Sequence, residues 1–157
     1  MPIIFARVDD RLIHGQIVQA WLPQLNVDEV IIPRTKRNSQ TLNGGLLRLS
    51  LPYEYELYIM EAAKIAAYVA GSKRRIFLLV DNLQDFADLV TDGIKIRSVN
   101  IGGMHFKEGA QKLADNVFLD ETDKHLLKLI YDLGICIETR AVPNASSIPV
   151  TEVLRDS

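Results

Sequence analysis

Ten consecutive residues, Arg7-Val8-Asp9-Asp10-Arg11-Leu12-Ile13-His14-Gly15-Gln16, put a histidine beside two arginines and two aspartates. Imidazole has an unperturbed pKa of about 6.5 and is a competent nucleophile near neutral pH. A phosphorylated imidazole keeps a labile P–N bond, so it can hand the group on, which a phosphoserine does badly. Arg7 and Arg11 are expected to supply positive charge to a phosphoryl group. The backbone of Gly15, Gln16 and Ile17 is expected to supply N–H donors, because phosphoryl transfer is mostly positioning and charge stabilisation. Gly15 also leaves room for a bulky donor. The plainer alternative is that His14 caps a helix beside a salt-bridged loop.

Carboxylates beside a phosphate acceptor are unfavourable unless paired. Asp9 and Asp10 are therefore expected to pair with the arginines, or to hold the imidazole N–H and fix its tautomer, the plainer alternative being a solvated acidic turn. Asp10 is preferred for the second task, being nearer the ring in sequence. A second segment, Gly102-Gly103-Met104-His105-Phe106, carries paired glycines that permit positive φ and close approach. A turn there is expected to offer N–H groups to an anion. His105 reads as a second phosphate ligand, a second acceptor or a structural residue, in each case a neighbour of the site. His125 reads as a surface residue of a helix. Arg34, Lys36 and Arg37 are expected on the active rim, steering an acidic donor protein. Lys73-Arg74-Arg75 is expected on the opposite rim as a solvated turn. No metal is implied, because no His, Cys or carboxylate spacing of the usual kind occurs, and no cofactor is implied either.

The elements that position these residues follow from periodicity. Apolar runs predict strands at Ile3–Phe5, Glu29–Ile32 (closed by Pro33), Tyr55–Ile59, Ile76–Val80, Ser98–Ile101, Asn116–Leu119 and Cys136–Thr139. Helical spacing predicts helices from Ile17 to Leu25, Ser39 to Leu49, Glu61 to Gly71, Leu83 to Val90 and Glu121 to Leu133, with a short one over Val150–Leu154. This βαβα rhythm implies an α/β fold: a doubly wound, mostly parallel sheet with helices on both faces. Right-handed crossovers gather the ends of strands one, two, four and five on one rim. His14 then sits between a strand end and a helix start, where α/β sheets bind ligands.

The chain of 157 residues reads as one domain over 1–157, large enough for a full core. A net charge of −2 argues against a nucleic-acid partner. Charged residues stand where a signal peptide would need its apolar stretch. No apolar run approaches the roughly 20 residues of a membrane span. These features imply a cytoplasmic protein. The single cysteine, Cys136, excludes an internal disulfide and is expected to be a buried strand residue.

The run Arg7–Gln16 closely resembles the phosphohistidine signature of IIB subunits of the mannose–fructose–sorbose family of the bacterial sugar phosphotransferase system. The run Val99-Asn100-Ile101-Gly102-Gly103-Met104-His105-Phe106 resembles the family's other signature. Spacing, length and element order match over essentially the whole chain. The resemblance implies a protein-N-phosphohistidine–sugar phosphotransferase of IIB type, carrying its phosphoryl group on Nδ1 of His14. A phosphorylated IIA protein would donate, and a membrane IIC/IID permease would bring the sugar, so the chain would associate peripherally with the inner face of the membrane. Self-association is left open. The family usually has an acidic or amide pair after strand two and a lysine after strand four; here Pro33-Arg34-Thr35-Lys36 and Asp81-Asn82 stand there. A regulatory phosphoacceptor without sugar transport is thus one rival. A nucleotide-binding module is another, but it lacks a GxGxxG or Walker pattern.

Overall fold

A computed structural model describes residues 2–155; Met1, Asp156 and Ser157 lie outside the described residues. Six strands form one sheet: β1 (Ile3–Asp9), β2 (Glu29–Arg34), β3 (Glu56–Glu61), β4 (Ile76–Val80), β5 (Ser98–Gly103) and β8 (Cys136–Glu138). Their spatial order is β3-β2-β4-β1-β5-β8, and every neighbouring pair is parallel. The doubly wound α/β reading is correct, and β4 is fully buried as a central strand requires.

Side-chain alternation divides the core between the two faces. Ala6 and Val8 of β1, Ile31 of β2, and Ile76, Leu78 and Val80 of β4 face one side. There they meet α2 (Ala62–Gly71), α3 (Leu83–Thr91) and α4 (Glu121–Asp132). Phe5, Val30, Ile32, Phe77 and Leu79 face the other side, against Ile17, Trp21 and Leu22. Strand parity therefore carries Arg7 and Asp9 to the Trp21 face along with Phe5.

Several boundaries differ from expectation. β1 runs four residues past Phe5, so Arg7 and Asp9 are strand residues. The predicted first helix is a six-residue π-helical segment, Gln16–Trp21, followed by a 3₁₀ turn at Leu22–Gln24, where Pro23 interrupts the helical hydrogen bonding. β2 continues through Pro33 to Arg34. There Pro33 registers with Met60 of β3, beyond the last β4 pairing at Ile31, so its missing N–H breaks no ladder on that side. The predicted helix over 39–49 shortens to α1 (Gly44–Ser50), because Asn43 caps it by accepting from Leu46 N. Residues 116–119 do not join the main sheet. β7 (Val117–Leu119) pairs antiparallel with β6 (Gln111–Ala114), a strand the sequence pattern did not reveal, through a turn with Asn116 at φ 65°. Thr151–Arg155 forms the short terminal helix α5. Cys136 is exposed rather than buried, because β8 is an edge strand.

Candidate functional site

Asp9, at the end of β1, is the hub of the site. Its side chain is fully buried. Oδ2 accepts from Arg7 Nη2 (2.9 Å), Arg7 Nε (3.2 Å), Arg11 Nη2 (3.0 Å) and the ring Nε2 of His14 (2.9 Å). Oδ1 accepts from Arg11 Nε (3.0 Å) and the Arg11 backbone N (3.1 Å). Burial alone would push the Asp9 carboxyl up. The hydrogen bonds from His14 and Arg11 and the charge of Arg7 outweigh burial and hold it well below the usual carboxylate range. An ionised carboxylate only accepts, so the His14 proton sits on Nε2. In the neutral ring this leaves the lone pair on Nδ1, which has no hydrogen-bond partner among the described residues.

The expectation for Asp10 is thereby corrected. Asp9, not Asp10, fixes the His14 tautomer, because strand parity aims Asp9 at the Trp21 face. The Asp10 Oδ2 instead accepts from the His105 backbone N and Nδ1, each at 2.7 Å.

The role of Arg7 is corrected too. Its side chain has no exposed surface, so it cannot meet a phosphoryl group arriving from solvent. It donates through Nη1 to Asn100 Oδ1 (2.9 Å) and to the carbonyls of Ala141 (3.1 Å) and Arg140 (3.4 Å). Its guanidinium lies 5.5 Å from the Trp21 ring centre, and that of Arg140 lies 5.4 Å from it. Trp21 Nε1 donates to the Ala141 carbonyl at 2.8 Å, and the ring stacks on Phe5. Burial lowers the Arg7 pKa, against the pull of Asp9. Arg11 is different: its side chain is about one-third exposed at the rim. Gln16 braces both arginines, its Oε1 accepting from Arg7 Nη2 (3.3 Å) and Arg11 Nη2 (3.2 Å).

The loop between Asp9 and His14 is tight. Leu12 N donates to Asp9 O at 3.0 Å, and Leu12 takes φ 55° with its side chain buried. A left-handed leucine costs about 1–2 kcal/mol, which the packing of its side chain offsets.

The paired glycines serve a purpose other than the one expected. Neither has positive φ; both lie in β5 beneath the side chains of β1. A Cβ on Gly102 would sit 2.0 Å from Arg7 Cζ, and one on Gly103 would sit 2.4 Å from Asp9 Oδ1. The glycines present carbonyls to the loop, Gly102 O accepting from Arg11 Nη2 and Gly103 O from Asp10 N, while the N–H that the segment offers to a carboxylate is that of His105. At Gly15 a Cβ would meet nothing within 4 Å.

The basic residues at and just after the end of β2 divide. Arg37 Nη1 donates to Asp85 (2.9 Å) and Asp88 (3.4 Å) of α3, whereas Arg34 and Lys36 make no ion pair among the described residues. Asp81 accepts from Asn38 Nδ2 (3.2 Å) and Asn82 Nδ2 (2.6 Å). On the opposite rim Arg75 pairs with Asp28, and Arg74 with Glu29 and Glu56. His125 is exposed on α4. Sequence reasoning passed over Asn100, whose signal was an amide inside the buried run Val99–Ile101, and the carbonyls of Arg140 and Ala141, which carry no signal at all.

The model of the PTS system sorbose subfamily IIB component matches residues 3–157. The chain belongs to the sorbose subfamily of PTS IIB components. The IIB chain is 34% identical over 145 residues to the PTS system sorbose-specific EIIB component of Lacticaseibacillus casei, covering 90% of this chain and 88% of that one. It is 32% identical over 157 residues to the PTS system mannose-specific EIIAB component of Escherichia coli K12, spanning 98% of this chain and 49% of the longer protein. Its fold matches the IIBSor domain of the sorbose permease from Klebsiella pneumoniae with a TM-score of 0.88 at 28% identity, covering 100% of this chain and 98% of that one. The IIB chain is therefore a phosphotransferase component of sugar transport. Among the described residues no helix is long and apolar enough to cross a membrane.

Proposed function

We propose that His14 accepts a phosphoryl group on Nδ1 from a phosphorylated IIA protein and passes it to a sugar brought by a membrane IIC/IID permease. The observation that carries this reading is the 2.9 Å contact between Asp9 and His14 Nε2, which leaves Nδ1 as the unpartnered nucleophile. The covalent fusion of EIIA and EIIB in the E. coli mannose relative supports a IIA donor.

Nδ1 attacks the donor's phosphorus as the donor P–N bond breaks. Positive charge developing on the His14 ring is shared with Asp9 through Nε2–H. Arg7 and Arg11 offset the Asp9 charge, so the carboxylate can sit beside an incoming dianion. Arg11, at the surface, turns part of its guanidinium toward the phosphoryl oxygens. Gly15 keeps the approach open. The same loop then presents phospho-His14 to the acceptor hydroxyl, with the chain working in the cytoplasm at the inner face of the membrane.

The test is phosphorylation by phosphoenolpyruvate, the general phosphotransferase proteins and a cognate IIA. An acid-labile, base-stable adduct is expected, lost in His14→Gln with unchanged thermal unfolding. Full labelling of His14→Gln overturns the assignment. A chain that loads but feeds no sugar through its own permease supports the regulatory reading instead.

A further inference from the structure

We infer that His105 is a second catalytic residue, the general base for the sugar hydroxyl in the second half of the reaction. This inference rests on the phosphocarrier reading above. The two half-reactions differ by one proton. Transfer from a phosphohistidine donor to His14 replaces one P–N bond by another and has no hydroxyl to deprotonate. Transfer from His14 to a sugar forms a P–O bond, and the hydroxyl proton must leave. A base on the rim therefore serves only the second step.

His105 has the geometry of such a base. The Asp10 Oδ2 accepts at 2.7 Å from both its backbone N and its Nδ1, which fixes the ring with its proton on Nδ1 and its Nε2 lone pair outward. The side chain is 79% exposed. Asp9 and Asp10 are successive residues, so the carboxylates that hold the two rings spring from Cα atoms about 3.8 Å apart. One carboxylate takes Nε2 of His14 and the next takes Nδ1 of His105. One tautomer is thus set for nucleophilic attack at Nδ1 and the other for proton uptake at Nε2.

His105 also borders a cleft of about 510 Å³, within the size range of small-ligand pockets. The charged groups facing it are Asp10 from the end of β1, Arg37 from the loop after β2, Asp81 from the end of β4, Lys107 from its own loop, and Asp120 and Asp123 at the start of α4. Lys107 is paired with the last two and Arg37 with Asp85. Among the described residues Asp81 has only amide partners, so carboxylates outnumber cations in the lining, which suits a neutral polyhydroxylated acceptor better than a free dianion. In the step, the acceptor oxygen attacks phosphorus and the P–Nδ1 bond of His14 breaks, its electron pair returning to Nδ1. The hydroxyl proton moves to Nε2 of His105, which releases it to water.

The experiment separates the two steps in wild type and His105→Gln, whose exposed position leaves folding intact. Loading is timed with phospho-IIA. The loaded chain is then mixed with vesicles carrying its own IIC/IID permease and, in turn, sorbose, fructose, mannose or N-acetylgalactosamine. The sugar step is expected to fall on the order of a hundredfold, at least tenfold more than loading. Wild type is expected to lose sugar-step rate on acidification, and the variant is expected not to. Equal losses in both steps, or an unchanged sugar step, overturn the base. A wild type that never loads overturns the phosphocarrier reading, and the base with it; a wild type that loads beside a variant with normal sugar transfer overturns the base alone.

Discussion

Asp9 and Arg7 lie two residues apart on one strand, and both are fully buried, joined at 2.9 Å. Arg7 therefore acts as a strut: it holds the carboxylate that holds His14. Removing one member of a buried pair leaves the other uncompensated, at about 3–5 kcal/mol. Asp9→Asn is expected to lose about 3 kcal/mol in urea unfolding and to slow loading. The pH dependence has a definite sign. Asp9 is held below its unfolded value of about 3.9. Its contribution is thus complete above about pH 4 and disappears as the pH falls toward the native value. Wild type should lose stability more steeply below pH 4 than Asp9→Asn; parallel acid limbs would mean the carboxylate is not coupled to folding.

Arg11 answers to a different measurement. It is partly exposed, and in the proposed step it turns toward the incoming phosphoryl group. Arg11→Ala is expected to cut the loading rate on the order of a hundredfold, about 3 kcal/mol of transition-state stabilisation. A large drop in melting temperature with an unchanged rate would make it structural instead.

Three glycines should part company. Gly102→Ala and Gly103→Ala drive a methyl into Arg7 or Asp9, at a cost of about 3 kcal/mol or more. Gly15→Ala meets open space and should stay within about 0.5 kcal/mol of wild type, while a bulkier Gly15→Leu slows transfer from phospho-IIA. Calorimetry of the purified variants checks the first claim and stopped-flow loading the second.

The basic cluster predicts a split result. Arg34 and Lys36 are without ion pairs among the described residues, so their charge is available at the rim. The double alanine variant should lower the second-order rate from phospho-IIA and flatten its salt dependence, leaving the rate at saturating donor in place. Arg37 is spent on Asp85 and Asp88. Arg37→Ala should change association little and cost under about 1 kcal/mol. A steep fall in the saturated rate of the double variant would put one of its side chains on the phosphate.

Most strands of the parallel sheet were legible because parallel strands advertise themselves as apolar runs, and the candidate histidine follows the first of them. The choice between Asp9 and Asp10 was not. It depends on how far β1 runs, and its last residues, Arg7 and Asp9, look like loop in a hydropathy pattern. Their burial is possible only because each finds a charged partner on the same strand face. The purpose of Gly102 and Gly103 was hidden for a related reason: what forbids a side chain there is Arg7 for the first and Asp9 for the second, each about 95 positions away in sequence. Cys136 misled because an apolar run does not say whether its strand is central or at an edge.

Trp21 is the chain's single tryptophan. Its indole lies beside the Arg7 and Arg140 guanidiniums and is tied to the Ala141 carbonyl. Nature has thus placed the only strong fluorophore one contact from the residue that anchors Asp9. Any shift of charge on loading His14 reaches that indole through Arg7 as a change of local field, so emission should change in step with phosphoryl arrival. The unlabelled protein carries its own optical gauge of turnover.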